Sequence, residues 1–290
     1  YAMDWERQLG IQMKKQDEMD SMVAGMQFVL ADVLDECYTY RPGKQDDDTT
    51  TTATASNIAD EWWWSRKVQR NIFSSTYPYL LVTIGTGVSI VRVDGPRKHE
   101  RISGSTIGGG TYWGLCRLLT DVDDFEEALN LSLQGDPSKV DMMVGDIYGK
   151  NSTALEKLGL PSGVVASSFG KLTSTKQDVT QQDLARAALL MVTNNIGQVA
   201  YLNAQLHQTP RIYFVGNFLR QNSISRQRLA YAIHYWSKGK MEALFLEHEG
   251  YFGALGAFLL SQGIGCDDNT TRRRRSHTIS ETSRHRSVSR

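Results

Sequence analysis

Between Met13 and Val33 apolar residues recur at three- and four-residue spacing, at Met19, Met22, Val23, Met26, Leu30 and Val33, interleaved with Lys14, Lys15, Asp17, Glu18 and Asp20. That period predicts an amphipathic helix. Residues 41 to 60 have neither period nor bulk; Pro42, Gly43, the Asp46–Asp48 run and the Thr49–Thr52 run predict a solvated loop between elements. The Trp62–Trp64 triplet beyond it reads either as an exposed docking patch or as a loop packed onto the body, and the second reading is preferred. From Tyr79 to Val93 the sequence YLLVTIGTGVSIVRV gives two β-rich runs around Gly85-Thr86-Gly87, closed by a turn at Asp94-Gly95-Pro96. Gly108-Gly109-Gly110-Thr111 then opens a helical spacing at Tyr112, Leu115, Leu118 and Leu119.

Asp123 and Asp124 are candidate caps for a helix carrying Phe125, Ala128 and Leu129, and Val140, Met143, Val144 and Ile147 mark another before Gly149. Thr180 followed by Asp183 opens the longest periodic stretch, through Leu184, Ala187, Ala188, Met191, Asn195, Val199 and Leu202, ending before Pro210. A buried or interface helix fits it. Arg211 to Gly216 (RIYFVG) predicts a short buried strand, and Ser225 to Ser237 a further helix. Strand, glycine turn and helix recur without a fixed-period repeat, which indicates α/β architecture.

Composition narrows the function classes. With 290 residues, 40% hydrophobic and 22% charged, the chain buries a core and is not wholly disordered. Lys+Arg and Asp+Glu number 32 each, so the formal net charge is zero, which argues against whole-chain attraction to nucleic acid or an anionic membrane. The zero conceals two opposite regions: residues 271–290 hold seven Arg and one Glu, leaving 25 basic against 31 acidic residues before them. Cys37, Cys116 and Cys266 are odd in number and widely spaced, so neither a disulfide scaffold nor a structural metal site is expected. The longest apolar window, Tyr251 to Leu260, contains glycines and falls short of the roughly 18 residues of a membrane span. Opening on Tyr1 with no charged-then-apolar leader, the sequence predicts a soluble protein of a reducing compartment, and a fragment of a longer one.

Glycine turns between strand and helix bring backbone N–H groups close to an anion, and a helix N-terminus adds a favourable dipole. Three segments qualify: Gly85-Thr86-Gly87 with hydroxyls at Thr86 and Ser89, Gly108–Thr111 at a helix start, and Gly216-Asn217 at a strand's end. Each alone reads as well as a hairpin turn or connector. Their order along one α/β chain is the stronger signal. Neither GxxxxGK[ST] nor GxGxxG in a βαβ setting occurs. By analogy, the pattern suits an actin-like, sugar-kinase-type (ribonuclease H-like) two-lobed fold that holds its nucleotide between domains.

The runs YPYLLVTIGTGVSI, ERISGSTIGGGTYWGLCRLLT, VGDIYG, VVASSFGK, TNNIG, VGNFLR, YAIHYWSKG and LEHEGYFGALGAF, in that order from about Tyr77 to Leu259, closely resemble eukaryotic-type pantothenate kinase. LGIQMKKQDEMDSMVAGMQFVL resembles that family's linker helix between lobes. The resemblance implies transfer of the γ-phosphoryl group of ATP, with Mg2+, to the primary hydroxyl of pantothenate, the first step towards coenzyme A. It implies feedback by acetyl-CoA or another acyl-CoA, a homodimer built on the helix beginning near Asp183, and a cytoplasmic location with nuclear or mitochondrial pools left open. It assigns Thr86, Ser89 and Arg101 to substrate or acyl-CoA; Thr86 stands where a serine is usual and keeps the hydroxyl. A guanidinium such as that of Arg101 suits carboxylate or phosphate oxygens, although a surface arginine is the plain alternative. Gly108, Gly109, Gly110, Thr111, Gly216 and Asn217 are assigned to ATP. Val165, Ala166, Ala232, Tyr235 and Trp236 match the pocket for the pantothenate arm or acyl thioester, or are simply core. Tyr148 matches a pocket tyrosine, while a second tyrosine expected shortly after it is missing from GKNSTALEK.

The family's first lobe carries a glycine-rich nucleotide loop and a catalytic glutamate, and neither precedes Trp5, so no catalytic residue is assigned within the sequence. Phosphoryl transfer depends on positioning and charge stabilisation, so these 290 residues alone are expected to be inactive. Glu247, His248 and Glu249 resemble an acid–base cluster but fall in ordinary family sequence, and that role is rejected for them. The expected divisions are a linker helix region (1–40), an insertion loop and connector (41–76), the C-terminal kinase lobe (77–262) and a disordered basic tail (263–290). In the tail, Arg272–Arg275 precede Ser276, Thr278 and Ser280; a solvated end is the simple reading and a phosphorylation switch the alternative. The competing functional class is a catalytically dead paralogue, a dimeric acyl-CoA-binding regulatory protein. A sugar kinase is disfavoured by HYWSKG and HEGYFGALG.

Overall fold

The β-rich runs and the helical periods assemble into three layers. The structure, a computed structural model, describes residues 2–10, 15–42, 65–70, 77–149, 153–159, 161–174 and 178–263. Trp62–Trp64, most of the 41–60 loop, Cys266 and the arginine-rich tail lie outside the described residues. Strands β1 (Cys37–Arg41), β2 (Arg66–Gln69), β3 (Tyr79–Ile84), β4 (Val88–Gly95) and β5 (Lys98–Ser105) precede the short pair β6 (Met142–Met143) and β7 (Val165–Ser167); β8 (Arg211–Val215) and β9 (Glu242–Leu246) follow. Helices are α1 (Ala2–Leu9), α2 (Glu18–Asp32), α3 (Gly109–Leu119), α4 (Phe125–Leu133), α5 (Val144–Tyr148), α6 (Thr153–Leu158), α7 (Gln181–Leu206), α8 (Ser223–Ser237) and α9 (Phe252–Ser261).

Among the described residues the main sheet has seven strands in the order β2-β1-β9-β8-β3-β4-β5. β3, β4 and β5 form an antiparallel meander, β8 lies parallel to β3, and β9 lies parallel to β8. A three-strand meander extended by two parallel strands is the ribonuclease H-like arrangement of actin-like kinases, so the α/β expectation holds in its detailed form. β1 and β2 add an antiparallel edge beyond β9.

Alternation along β3 divides the core. Leu80, Val82 and Ile84 face one layer, with Ile196 of α7, Tyr112 of α3 and Ile233 of α8. Tyr79 and Leu81 face the other, with Val23 and Met26 of α2 and Phe252 of α9. Each such aliphatic side chain, fully buried, contributes roughly 1.5–3 kcal/mol.

Several sequence expectations change here. α2 starts at Glu18, because the Asp17 carboxylate accepts from Asp20 N–H at 3.0 Å and caps it there. Val140 to Ile147 is not one helix: a 3-10 turn at Pro137–Lys139, strand β6 and five-residue α5 share that span. Met143 N–H donates to Asp146 at 2.8 Å, which starts α5 only at Val144. β1 and β2 put parts of the expected linker and connector into the sheet. The long helix keeps its predicted cap: Thr180 Oγ1 accepts from Asp183 N–H at 3.3 Å, and Thr180 N–H donates back to Asp183 at 3.0 Å. Of the two readings offered for it, buried or interface, the buried one is met within one chain, since Ala188, Leu189, Val192 and Ile196 pack in the main core.

Candidate functional site

The three glycine turns meet at the carboxyl ends of β3 and β8. Gly109 N–H donates to the Gly85 carbonyl and Gly110 N–H to the Thr86 carbonyl, both at 2.9 Å. A Cβ on Gly108 would stand 2.7 Å from Gly87 Cα and from the Thr86 oxygen, and one on Gly109 would press on the Phe218 ring at 3.3 Å. Gly216, at φ +116°, lies so close to the Ile84 backbone that no side chain fits. Close backbone approach therefore requires these glycines. The Gly109 and Gly110 N–H groups expected to cradle phosphate are engaged by the neighbouring turn. Gly108 N–H donates to Thr111 Oγ1 at 3.3 Å.

Ser89 and Arg101 come together on the β4–β5 ladder, where Arg101 Nε donates to Ser89 Oγ at 3.2 Å across Gly104. One step along that ladder, Ser105 Oγ donates to Asn195 Oδ1 of α7 at 3.5 Å. Asn195 in turn lines a cleft of about 460 Å³. Thr111 forms part of its wall, so α3 joins the glycine junction to the cleft. Val165, Ala166, Ala232, Tyr235 and Trp236 all line it. Of the expected site residues, Thr86, Gly108–Gly110 and Gly216 thus meet at the turn junction, Thr111, Val165, Ala166, Ala232, Tyr235 and Trp236 line the adjoining cleft, and Ser89 and Arg101 lie together on the β4–β5 ladder. Tyr148 stands apart on α5, 48% exposed and absent from the cleft wall.

Local packing explains the cleft's shape. A Cβ on Gly197 of α7 would meet Leu229 at 3.2 Å and the Trp236 ring at 3.5 Å, so α7 and α8 cross closely beneath it. Tyr201 Oη donates to the Trp236 carbonyl at 3.0 Å, and Tyr231 stacks on Tyr235 with ring centroids 5.8 Å apart. The residues that sequence reasoning missed are Asn194, Asn195, Gln198 and Arg228, which supply the polar groups of the wall. Two adjacent asparagines inside a long helix run against helix propensity, a usable signal that something other than the helix wants them.

Glu247, His248 and Glu249 do not act as one cluster. Glu247 pairs with Lys67 of β2, His248 Nδ1 lies 2.7 Å from the buried Glu36, and Gly216 N–H donates to Glu249. Burial drives the Glu249 carboxyl up to about 7, against the pull of Arg226, the Gly216 N–H and Arg220. Burial likewise raises Asp141 to about 6, opposed by the Phe169 N–H and the charges of Arg228 and Lys171. Among the described residues no three His, Cys, Asp or Glu side chains gather as a metal site.

With this geometry in place, likeness to known proteins decides the family. The Fumble family model matches residues 1–260. The chain belongs to the Fumble family. Relatives of this Fumble chain include pantothenate kinase 2 of Arabidopsis thaliana, 42% identical over 271 residues, covering 92% of the chain and 28% of that protein. Pantothenate kinase 1 of the same plant is 44% identical over 261 residues, with coverage of 89% and 62%. Pantothenate kinase of Schizosaccharomyces pombe is 42% identical over 256 residues, with coverage of 87% and 59%. The Fumble chain thus spans between 28% and 62% of the length of these relatives. Solved structures similar to it include xylulose kinase from Lactobacillus acidophilus (TM-score 0.40, 12% identity, 67% of this chain and 40% of that one). Another is glucokinase from Balamuthia mandrillaris in complex with glucose (TM-score 0.39, 15% identity, 85% and 64%). Likeness at that level carries no functional weight.

Proposed function

We propose that this chain is part of a pantothenate kinase. The observation that supports the reading best is the continuity from the Gly85/Gly108/Gly216 junction, through Thr111, into a cleft with an apolar floor and amide-bearing walls. ATP phosphates would approach the junction from the exposed Thr86 side, and pantothenate would occupy the cleft. The pantothenate hydroxyl oxygen attacks Pγ, the Pγ–O bond to ADP breaks, and the hydroxyl proton passes to a base outside this sequence. The chain itself binds and orients, with Ser89 and Arg101 as further donors near the substrate. The floor of Val165, Ala166, Ala232 and Trp236 also suits the acyl end of an acyl-CoA, which supports feedback at the same place. Exposed Leu202 and Leu206 on α7 leave an apolar strip for a second copy, consistent with a homodimer. Buried free Cys37 and Cys116 are compatible with the cytoplasm.

The test compares this 290-residue chain with the longest natural product that contains it, in an assay of ADP release dependent on pantothenate. The longer product is expected to turn over and the chain alone to stay at background. No phosphopantothenate from the longer product at saturating substrates would defeat the kinase reading. Retained acetyl-CoA binding in that case would identify the regulatory paralogue instead.

A further inference from the structure

Val164, Val165, Ala166 and Ser168, which are β7 and its flanks, supply one wall of the cleft. β7 pairs with β6 in a two-stranded sheet, Met142 opposite Ser167 and Met143 opposite Val165, with an irregularity between the two pairs. A ladder that short does not fix its own ends. At one end Val144 N–H donates to the Val164 carbonyl at 2.8 Å. At the other end a side chain closes it: Asp141, the residue before β6, accepts from Phe169 N–H on Oδ1 at 2.8 Å. Asp141 is 1% exposed and its Oδ2 is buried with no hydrogen-bond partner, so the bond to Phe169 is the contact that fixes this carboxyl. Phe169 has φ +59°, a left-handed conformation that an aromatic residue rarely adopts and that persists only where its surroundings hold it. A hydrogen bond to a buried carboxyl is of the same order as that strain and offsets it. Beyond the turn, Lys171 N–H donates to the Val140 carbonyl at 3.0 Å. Between the β7 pairing and Lys171, the Asp141 bond therefore sets the path of Ser168 and Phe169.

We infer that Asp141 is a positioning residue for the substrate cleft: by holding Phe169 in its left-handed conformation it sets where Ser168 and the end of β7 stand in the wall. Asp141 is itself absent from the wall and acts through the backbone. Without an acceptor at 141, Phe169 relaxes to negative φ, its N–H turns away, and Ser168 is carried out of the wall with it. Asparagine keeps an oxygen for that N–H, so it keeps the wall. The glycine junction is built separately, by Gly109 and Gly110 N–H on the Gly85 and Thr86 carbonyls, and takes no support from this turn. The inference rests on the proposed function in one respect, that pantothenate enters this cleft.

The experiment is calorimetric titration of the longest natural product that contains this chain, and of its D141A and D141N variants, first with ADP and then, at saturating ADP, with pantothenate. D141A should weaken pantothenate binding about 10-fold, the order of one hydrogen bond to a charged acceptor, and leave ADP binding within about twofold. D141N should stay within about threefold of the wild type for pantothenate, an amide oxygen being the weaker acceptor. A merely structural role would move both ligands together in D141A. That result, an unchanged pantothenate affinity in D141A, or a D141N as weak as D141A overturns the inference. Should D141A not fold, by circular dichroism, Gly170→Ala decides, because a Cβ there would stand 2.8 Å from the Cβ atoms of Met142 and Ser167 and displace the same turn. It should weaken pantothenate binding and spare ADP, and an equal effect on both ligands, or none on either, overturns the inference. A wild type that does not bind pantothenate sinks the cleft reading and the inference with it, whereas the variant results named above, with wild-type binding intact, sink the inference alone.

Discussion

Gly256→Ala is expected to destabilise the chain by about 3 kcal/mol, at the upper end of overpacking effects, and to lower the urea midpoint accordingly. The cause is the crossing of α2 and α9. A Cβ on Gly256 would run into the Ser21 carbonyl oxygen, with the Ser21 carbonyl carbon at 2.6 Å and Gly25 N at 2.8 Å. Gly25 mirrors it, facing the Phe252 carbonyl and Gly256 N. The atoms that would have to move are backbone, so no rotamer change relieves the clash. Gly253, one turn away on the same helix, meets nothing within 4 Å, and Gly253→Ala should be neutral or stabilising by up to about 1 kcal/mol. Equal midpoints for the two variants would refute this account of the crossing.

That crossing also shows where the sequence is hard to read. The spacing of large apolar residues predicts the helix around Met22 and Met26, yet the surface of closest approach is drawn by Ser21, Gly25 and Gly256, which carry no hydrophobic signal. The glycines of α9 break an apolar window on paper and in the fold admit another helix. α7 was legible because twenty-six residues repeat one period behind a capping box. β9 was not: Ala243 to Leu246 are all buried, and an inner strand covered on both faces shows no alternation. β5 escaped for the opposite reason, since an edge strand reading KHERISGS has little apolar pattern at all. Among site residues, the glycine turns and the Ala232–Trp236 segment were readable from local chemistry and resemblance. Arg228 was not, because an arginine on a helix face looks solvated until its Nε is seen to donate to Asn194 Oδ1.

The second large effect is a pH dependence. Glu249 sits at the end of β8 with its carboxyl on the Gly216 N–H, and burial raises it from an ordinary 4.5 to about 7. Its charged form is therefore the disfavoured one in the fold. The stability it permits is fully present below about 4.5, falls as pH rises through 7, and stays low above that. Glutamine keeps an oxygen to accept the Gly216 N–H and cannot ionise. Glu249→Gln should thus match the wild type near pH 4.5 and exceed it at pH 8 by about 3 kcal/mol, from 1.36 kcal/mol per pKa unit. Asp141 contributes the same trend at lower pH in both proteins, so the difference between them isolates Glu249. Urea unfolding at pH 4.5, 6 and 8 reads it directly, and a difference that does not grow with pH would refute the assignment. The same carboxyl lies on the Gly216-Asn217 turn that the kinase reading places beside the nucleotide. An anionic phosphate arriving there disfavours the charged carboxylate further, so that turn is best suited to its ligand when Glu249 holds a proton.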